Sequence, residues 1–338
     1  MKESVRFLGA NMLTEFHFDE DFLAAKDLNG PNSNMVNNML LEFWLERGCL
    51  LYPFSRLKSY QEWEETIPAK YSKKWVTALT HARTYDISKL YKKTISFNNV
   101  NQIESLYKPT GLELVLVPNE FSLFGLLEGK DSLVFESLEI SRISGLTTSS
   151  SYSKSIKLSN QGIKADDSIE KIWMLQFQKT AKYSKVITII DRYFGENLSI
   201  DMGKKRRETA IERFISFLSK EGRKFNITIG TVGGESNSER HNEITNFLRD
   251  KINNNITFRN TISDMTLFSC DDKTFQKFCH DRFICFDNIV YEIGKGFDIF
   301  RDIPLFSSTL SIKNSSTSSF KYSLGELMPR RLWTDKLK

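Results

Sequence analysis

Lys277 to Phe300 reads KFCHDRFICFDNIVYEIGKGFDIF, the one stretch of the chain whose residues read as a chemical site. His280, Arg282 and Asp287 follow the spacing H-x-R-x4-D, and Gly294 comes after six further residues. The segment reads as a strand. Side chains two apart on a strand point to the same face, so the His280 imidazole and the Arg282 guanidinium would share one face. That pairing suits a phosphate: the guanidinium grips two oxygens in a fork, and the imidazole attacks phosphorus or hands over a proton. Tyr291 to Ile293 reads as a return strand. Gly294 and Gly296 then let the backbone approach a bound group closely, with Lys295 between them as a further cation.

Working upstream, the second half of the chain alternates between helix and strand. Asp166, Asp167 and Ser168 open a helix whose buried face holds Ile169, Ile172, Trp173, Leu175 and Phe177. Val186 to Ile190 is a continuous apolar run, typical of a central strand covered on both sides, and it ends in Asp191-Arg192-Tyr193-Phe194. Lys204, Lys205, Arg206 and Arg207 are four consecutive cations that suit phosphate contact or a solvated helix start; cations at a helix N-terminus oppose its dipole, which favours the phosphate-binding patch. Helices are expected over Thr209 to Lys220 and Glu239 to Ile252, with strands at Phe225 to Val232 and Ile256 to Phe258. His241 reads as a surface residue. This order predicts a mainly parallel sheet with helices on its faces. After Pro304, the serine-rich Ser307 to Ser323 reads as a loop, and the tail places Trp333 among cations.

The HDR pattern resembles the H-x-K-x4-D-x6-G signature of the phospholipase D superfamily, with Arg282 where the family has lysine. HDR followed by GKGFDIF is closer still to the phospholipase-D-like C-terminal domain of MIT-domain proteins and its bacterial relatives, which carry HDR and then G-x-G-x-D-x-F. VITIIDRYFGENL, Val186 to Leu198, resembles the opening strand of that fold. The resemblance covers roughly the second half of the chain. It implies His280, Arg282 and Asp287 as catalytic residues and Arg282, Gly294, Lys295 and Gly296 as phosphate ligands. Asp298 matches the aspartate of the glycine motif. In the family the first strand's end lies near the active crevice, which draws attention to Asp191 and Arg192; they read equally as an ordinary capped strand end. Catalytic members carry a serine and an asparagine in the glycine turn, where this chain has Lys295 and Phe297. Hydrolysis of this type uses two histidines and no metal or cofactor. With a single H-x-R-x4-D, the second histidine would come from a homodimer partner.

The first half offers no resemblance. A chain of 338 residues with 40% apolar content has room for two domains with real cores. A mixed α/β domain is expected over 1–150, a Ser/Thr-rich linker over 151–165 and the phospholipase-D-like domain, with a polar extension, over 166–338. Within the first domain, Met35 to Arg47, Tyr60 to Ile67 and Ser72 to Tyr85 read as helices, Cys49 to Phe54 as a short strand and Leu112 to Phe121 as a strong strand. SLVFESLEI, within Asp131 to Ile143, reads as one more strand. His17, Asp19 and Asp21 alternate and read as a solvated strand edge rather than a metal site. Asn119, Glu120, Glu136 and Glu139 read as surface groups, with a metal-binding nuclease site as the sharper alternative.

A formal charge of +5 permits an anionic partner without requiring one. Cys49, Cys270, Cys279 and Cys285 form no C-x-x-C pair and read as reduced, buried thiols. No signal-peptide region and no apolar run of membrane-spanning length stand in the sequence, so the expectation is a cytoplasmic protein. Two functions remain open. One is a metal-independent phosphodiesterase acting on nucleic acid within a bacterial defence complex. The other is a non-catalytic module that binds nucleic acid, phospholipid head groups or a partner protein.

Overall fold

A computed structural model describes residues 12–18, 22–23, 25–53, 66–90, 106–107, 109–120, 129–165, 167–204, 208–301 and 303–338. The chain is α/β and divides into two compact units, Met1–Leu158 and Ser159–Lys338.

In the first unit the strands are β1 (Thr14–Phe18), β2 (Gly48–Tyr52), β3 (Arg83–Asp86), β4 (Leu114–Val117), β5 (Ser132–Phe135) and β6 (Leu138–Arg142). They form a sheet in the order β3-β2-β1-β4-β6-β5. All its pairings are parallel except β5 with β6. Helices Ser33–Glu46 and Ala69–His81 make the crossovers that parallel neighbours require. β1, β2 and β4 are buried along their whole length, as strands covered on both faces are. Trp44 and Trp75 anchor the helices: the first donates its indole N–H to Arg83 O at 2.8 Å, the second to Asn37 Oδ1 at 2.7 Å.

Several expectations change here. The segment Ser72 to Tyr85 is not one helix: the helix stops at His81 and Arg83 opens β3. SLVFESLEI is a hairpin rather than one strand, because Glu136 turns the chain with φ +53°. The Ser/Thr-rich linker is mostly helix, Ser150–Ser159. Glu139, buried on β6, caps that helix by accepting from Ser150 N and Ser151 N, both at 2.7 Å. A buried carboxylate thus makes a helix of a sequence whose composition reads as a spacer. The expected helix over Tyr60 to Ile67 lies largely outside the described residues, as do Asp19 and Asp21.

His17 belongs to the interior of β1, 3% exposed, not to a solvated edge. Its Nδ1–H donates to Leu51 O at 2.6 Å and its ring stacks on Tyr52. Burial pushes its pKa down to about 4, against that hydrogen bond. The folded unit keeps His17 neutral while the unfolded chain takes a proton below pH 6.5. Stability therefore falls as pH drops from 6.5 to 4, by roughly 3 kcal/mol from this group. His17→Asn keeps the donor and removes the proton uptake. We expect its urea midpoint relative to the parent chain to improve on acidification through that window; a pH-independent difference would show that His17 is not the titrating group.

The second unit contains β7 (Val186–Ile190), β8 (Phe225–Thr231), β9 (Ile262–Ser269), β10 (Phe283–Phe286), β11 (Ile289–Ile293), β12 (Leu310–Asn314) and β13 (Trp333–Lys336). The order is β12-β11-β10-β7-β8-β9-β13. Only β7–β8 and β8–β9 are parallel, so this sheet is mixed rather than mainly parallel. A two-residue turn, Asp287-Asn288, joins β10 to β11, and so short a connection forces antiparallel pairing. Ile256 to Phe258 is not a strand. The Asn255 side chain accepts from Thr257 N and Phe258 N and starts helix Ile256–Thr261. The strand follows at Ile262, where Asp264 breaks the apolar alternation. Other elements follow the sequence closely. Ser168 caps helix Ile169–Ile172, and Thr209 with Glu212 forms a capping box on helix Ala210–Ser219. The serine-rich segment after Pro304 holds β12 and the start of helix Phe320–Leu327. The tail adds β13 to the sheet edge beside β9. Trp173, Phe177, Phe214, Phe286, Phe297 and Phe300 pack as one aromatic core.

Candidate phosphate-binding site

From β7 the chain steps to β8 and β9 on one side, then returns to place β10 on β7's other side. The carboxyl end of β7 is thus the point where strand order reverses, the usual place for a ligand crevice in an open α/β sheet. The antiparallel register pairs Phe283 with Ile190, so one step further sets Arg282 opposite Asp191. Ile293 N donates to Arg282 O at 3.0 Å, which brings the glycine turn after β11 to the same edge.

Arg282 is the hub. Its Nη1 donates to Gly294 O at 2.7 Å, its Nε lies 3.9 Å from Asp191 Oδ1, and its guanidinium sits 4.7 Å from the centre of the Tyr193 ring. Its side chain is 25% exposed, and Nη2 has no hydrogen-bond partner among the described residues. Asp191 is buried and accepts from Tyr193 N at 2.9 Å and Phe297 N at 2.7 Å. Burial pushes its carboxyl up to about 6, against those bonds and the Arg282 charge. Gly296, at φ +58°, closes over the pair: a Cβ there would lie 2.2 Å from Asp191 Oδ2 and 2.4 Å from Arg282 Cδ.

His280 and Arg282 do not lie on a strand. Helix Asp272–Phe278 runs almost to them, Cys279 Sγ donates to Asp281 O in the bend that follows, and β10 begins only at Phe283. The alternation argument for a shared face therefore fails. What stands is proximity in the chain, since Cα atoms two residues apart lie within about 7 Å. His280 is exposed and makes no hydrogen bond among the described residues.

Asp287 stands apart from this cluster. It occupies the turn at the far end of β10, roughly 15 Å along the strand from Arg282. At φ +51° its carboxylate accepts from Val186 N at 2.9 Å and, more weakly, from Lys185 N, which fixes the start of β7. Its work there is structural. Arg192 is held bidentately by Asp272, at 2.5 and 2.8 Å, and its guanidinium lies 5.1 Å from the Tyr193 ring. Asp298 accepts from Asn197 Nδ2 at 2.6 Å, and burial raises its pKa. Lys295 is exposed, its N–H donating to Ser308 Oγ. Lys204 is exposed beyond helix Phe194–Met202; Lys205, Arg206 and Arg207 lie outside the described residues.

Two groups escaped the sequence reading. Tyr193 supplies the ring on which Arg282 lies, and its position directly after Asp191-Arg192 was the available signal. Arg301 forks onto Asp201 at 2.6 and 2.8 Å and reaches Asn197 Oδ1 at 3.2 Å, tying the 3-10 turn Gly296–Phe300 to helix Phe194–Met202. Nothing local marked that long-range pair.

The other histidines serve elsewhere. His241 is 7% exposed rather than on the surface. Its Nδ1 accepts from Asn237 N, which leaves the proton on Nε2 to face Asp335 at 3.3 Å, and its ring packs on Trp333. Among the described residues no group of three or more His, Cys, Asp or Glu side chains is placed to hold a metal ion. Of the residues read as metal candidates, Glu139 caps a helix, Glu136 meets Tyr107, and Asn119 donates to Asp27. All four cysteines are free and buried, with burial pushing Cys270 up to about 11 and Cys279 to about 12. No helix among the described residues is long and apolar enough to cross a membrane. Compared with known proteins, the sequence matches no family model and no curated protein.

Proposed function

We propose that the second unit binds phosphodiester groups of nucleic acid at Arg282 and His280, as a cytoplasmic phospholipase-D-like protein of a bacterial defence system. The observation that carries this is Arg282. Its guanidinium is held by Gly294 O, with Asp191 and Tyr193 close by, yet Nη2 has no partner among the described residues, and two residues earlier in the chain the His280 imidazole is exposed. A preorganised guanidinium binds an anion without first losing much rotamer freedom. Lys295 supports the same reading as an exposed cation on the adjoining turn. Cleavage in this reading belongs to a homodimer. His241, the other histidine of the second unit, is buried in another role, so within that unit a second imidazole for the leaving oxygen would be His280 of another copy. One copy attacks phosphorus and forms a phosphohistidine while the other protonates the departing oxygen; water then releases the phosphate.

A specific observation favours the non-catalytic alternative. Phe297, where catalytic members of the resembled family carry a polar residue of the glycine turn, is 2% exposed and packed on Phe194, Phe214 and Phe300. That place is core, not site.

The test is incubation with DNA, RNA and anionic vesicles, with and without EDTA. The nuclease reading expects EDTA-resistant cleavage that His280→Ala reduces at least 10³-fold, far beyond its effect on binding; cleavage persisting in His280→Ala would discard it. Arg282→Ala should weaken oligonucleotide binding by 10-fold or more, consistent with loss of a charge-assisted fork.

A further inference from the structure

Phe306 is 61% exposed, the most exposed phenylalanine among the described residues. It lies in the segment leading into β12, and that segment is well fixed. Ser308 exchanges backbone hydrogen bonds with Ile163, at 2.9 and 3.0 Å, its Oγ accepts from Lys295 N at 2.9 Å, and Thr309 O accepts from Gly294 N at 3.0 Å. The ring is thus held beside the glycine turn, with the Lys295 ammonium 5.8 Å from its centre. β12, β11 and β10 are successive neighbours, and the register sets Leu310 level with Ile293 and Arg282; Phe306 lies four residues before Leu310, past the same edge of the sheet on the side of the glycine turn.

We propose that Phe306 is a stacking platform for an unpaired base of a single-stranded nucleic acid whose phosphate lies at Arg282 and His280. This rests on the phosphodiester reading of that site. A cation beside an exposed ring, at the same sheet edge as a guanidinium whose Nη2 has no partner among the described residues, offers a single strand a stacking surface and a phosphate contact within a few nucleotides of each other. Every base has a π-face, so the contact confers strand preference without sequence preference. Ser307 and Thr309, after Phe306, are exposed and hydroxylated, while Pro304 and Leu305 before it are apolar, so the vesicle arm of the experiment separates a base-stacking ring from a membrane-inserted one.

The experiment measures affinity of the full chain, at fixed salt, for a labelled oligothymidylate, an abasic oligomer of equal length, the corresponding duplex, and anionic vesicles. Phe306→Ala is expected to weaken oligothymidylate about 10-fold and leave the abasic strand unchanged, with Phe306→Trp restoring affinity. Equal losses on abasic and base-bearing strands, or no loss on either, would overturn the proposal. So would a loss confined to vesicles, which would assign Phe306 to a membrane. Arg282→Ala separates the two layers: if it leaves oligothymidylate binding intact while Phe306→Ala weakens it, stacking stands and the phosphate site has been misplaced. If Arg282→Ala alone weakens binding, the phosphate site stands and the platform falls.

Discussion

Gly296→Ala is expected to lower the stability of the second unit by on the order of 4 kcal/mol and to abolish anion binding. Two effects add. The residue sits at φ +58°, which costs an L side chain about 1–2 kcal/mol. Its new methyl would lie 2.2 Å from Asp191 Oδ2 and 2.4 Å from Arg282 Cδ, and overpacking of this kind costs about 1–3 kcal/mol. Neither neighbour yields easily. Asp191 is pinned by two backbone N–H groups, and Arg282 by Gly294 O. The expected fall in the unfolding midpoint is roughly 10 °C. Gly294→Ala is the matched control. Its methyl would meet the Thr309 and Ser308 hydroxyls, at 2.7 and 3.2 Å, and a side-chain rotation can relieve both contacts. Calorimetry of both variants checks the contrast; equal midpoints would mean that the closure over Arg282 is not rigid.

The G-x-G pattern made that turn legible because glycine at a positive φ leaves a mark in sequence. β7 was legible for a similar reason: an unbroken VITII run between polar flanks admits few readings, and its observed bounds match. Capping residues marked the helices opened by Ser168 and Thr209. Information held by distant partners stayed hidden. Glu139, eleven residues upstream, turns a serine tract into a helix, and Asn255 turns Ile-Thr-Phe into a helix start. At the site, spacing pointed to the right edge of the sheet but grouped its residues wrongly. H-x-R-x4-D contains an aspartate from the opposite end of β10, while the carboxylate that meets Arg282 lies ninety-one positions earlier, at Asp191. Only the register of β7 against β10 brings that pair together.

That carboxylate supports the last and most discriminating expectation. Asp191→Ala should cost about 4 kcal/mol. It would leave the N–H groups of Tyr193 and Phe297 without their acceptor and strip Arg282 of its nearest countercharge. Asp191→Asn keeps the shape but cannot ionise, and the comparison is made across pH. In the folded unit Asp191 holds its proton up to about pH 6, whereas the unfolded chain releases it near 3.8. Between those values the folded state binds more protons, so stability falls as pH rises, by roughly 3 kcal/mol from this group. The Asn variant lacks that loss and should gain on the parent chain as pH rises from 4 to 7, a slope opposite in sign to that of His17. Anion binding should follow the same ionisation. Below pH 6 a neutral Asp191 leaves the Arg282 charge less compensated, so the parent chain should gain oligonucleotide affinity relative to the Asn variant as pH falls through that value. A parallel pH profile for the two proteins, in both unfolding and binding, would mean that Asp191 does not govern the charge of the crevice.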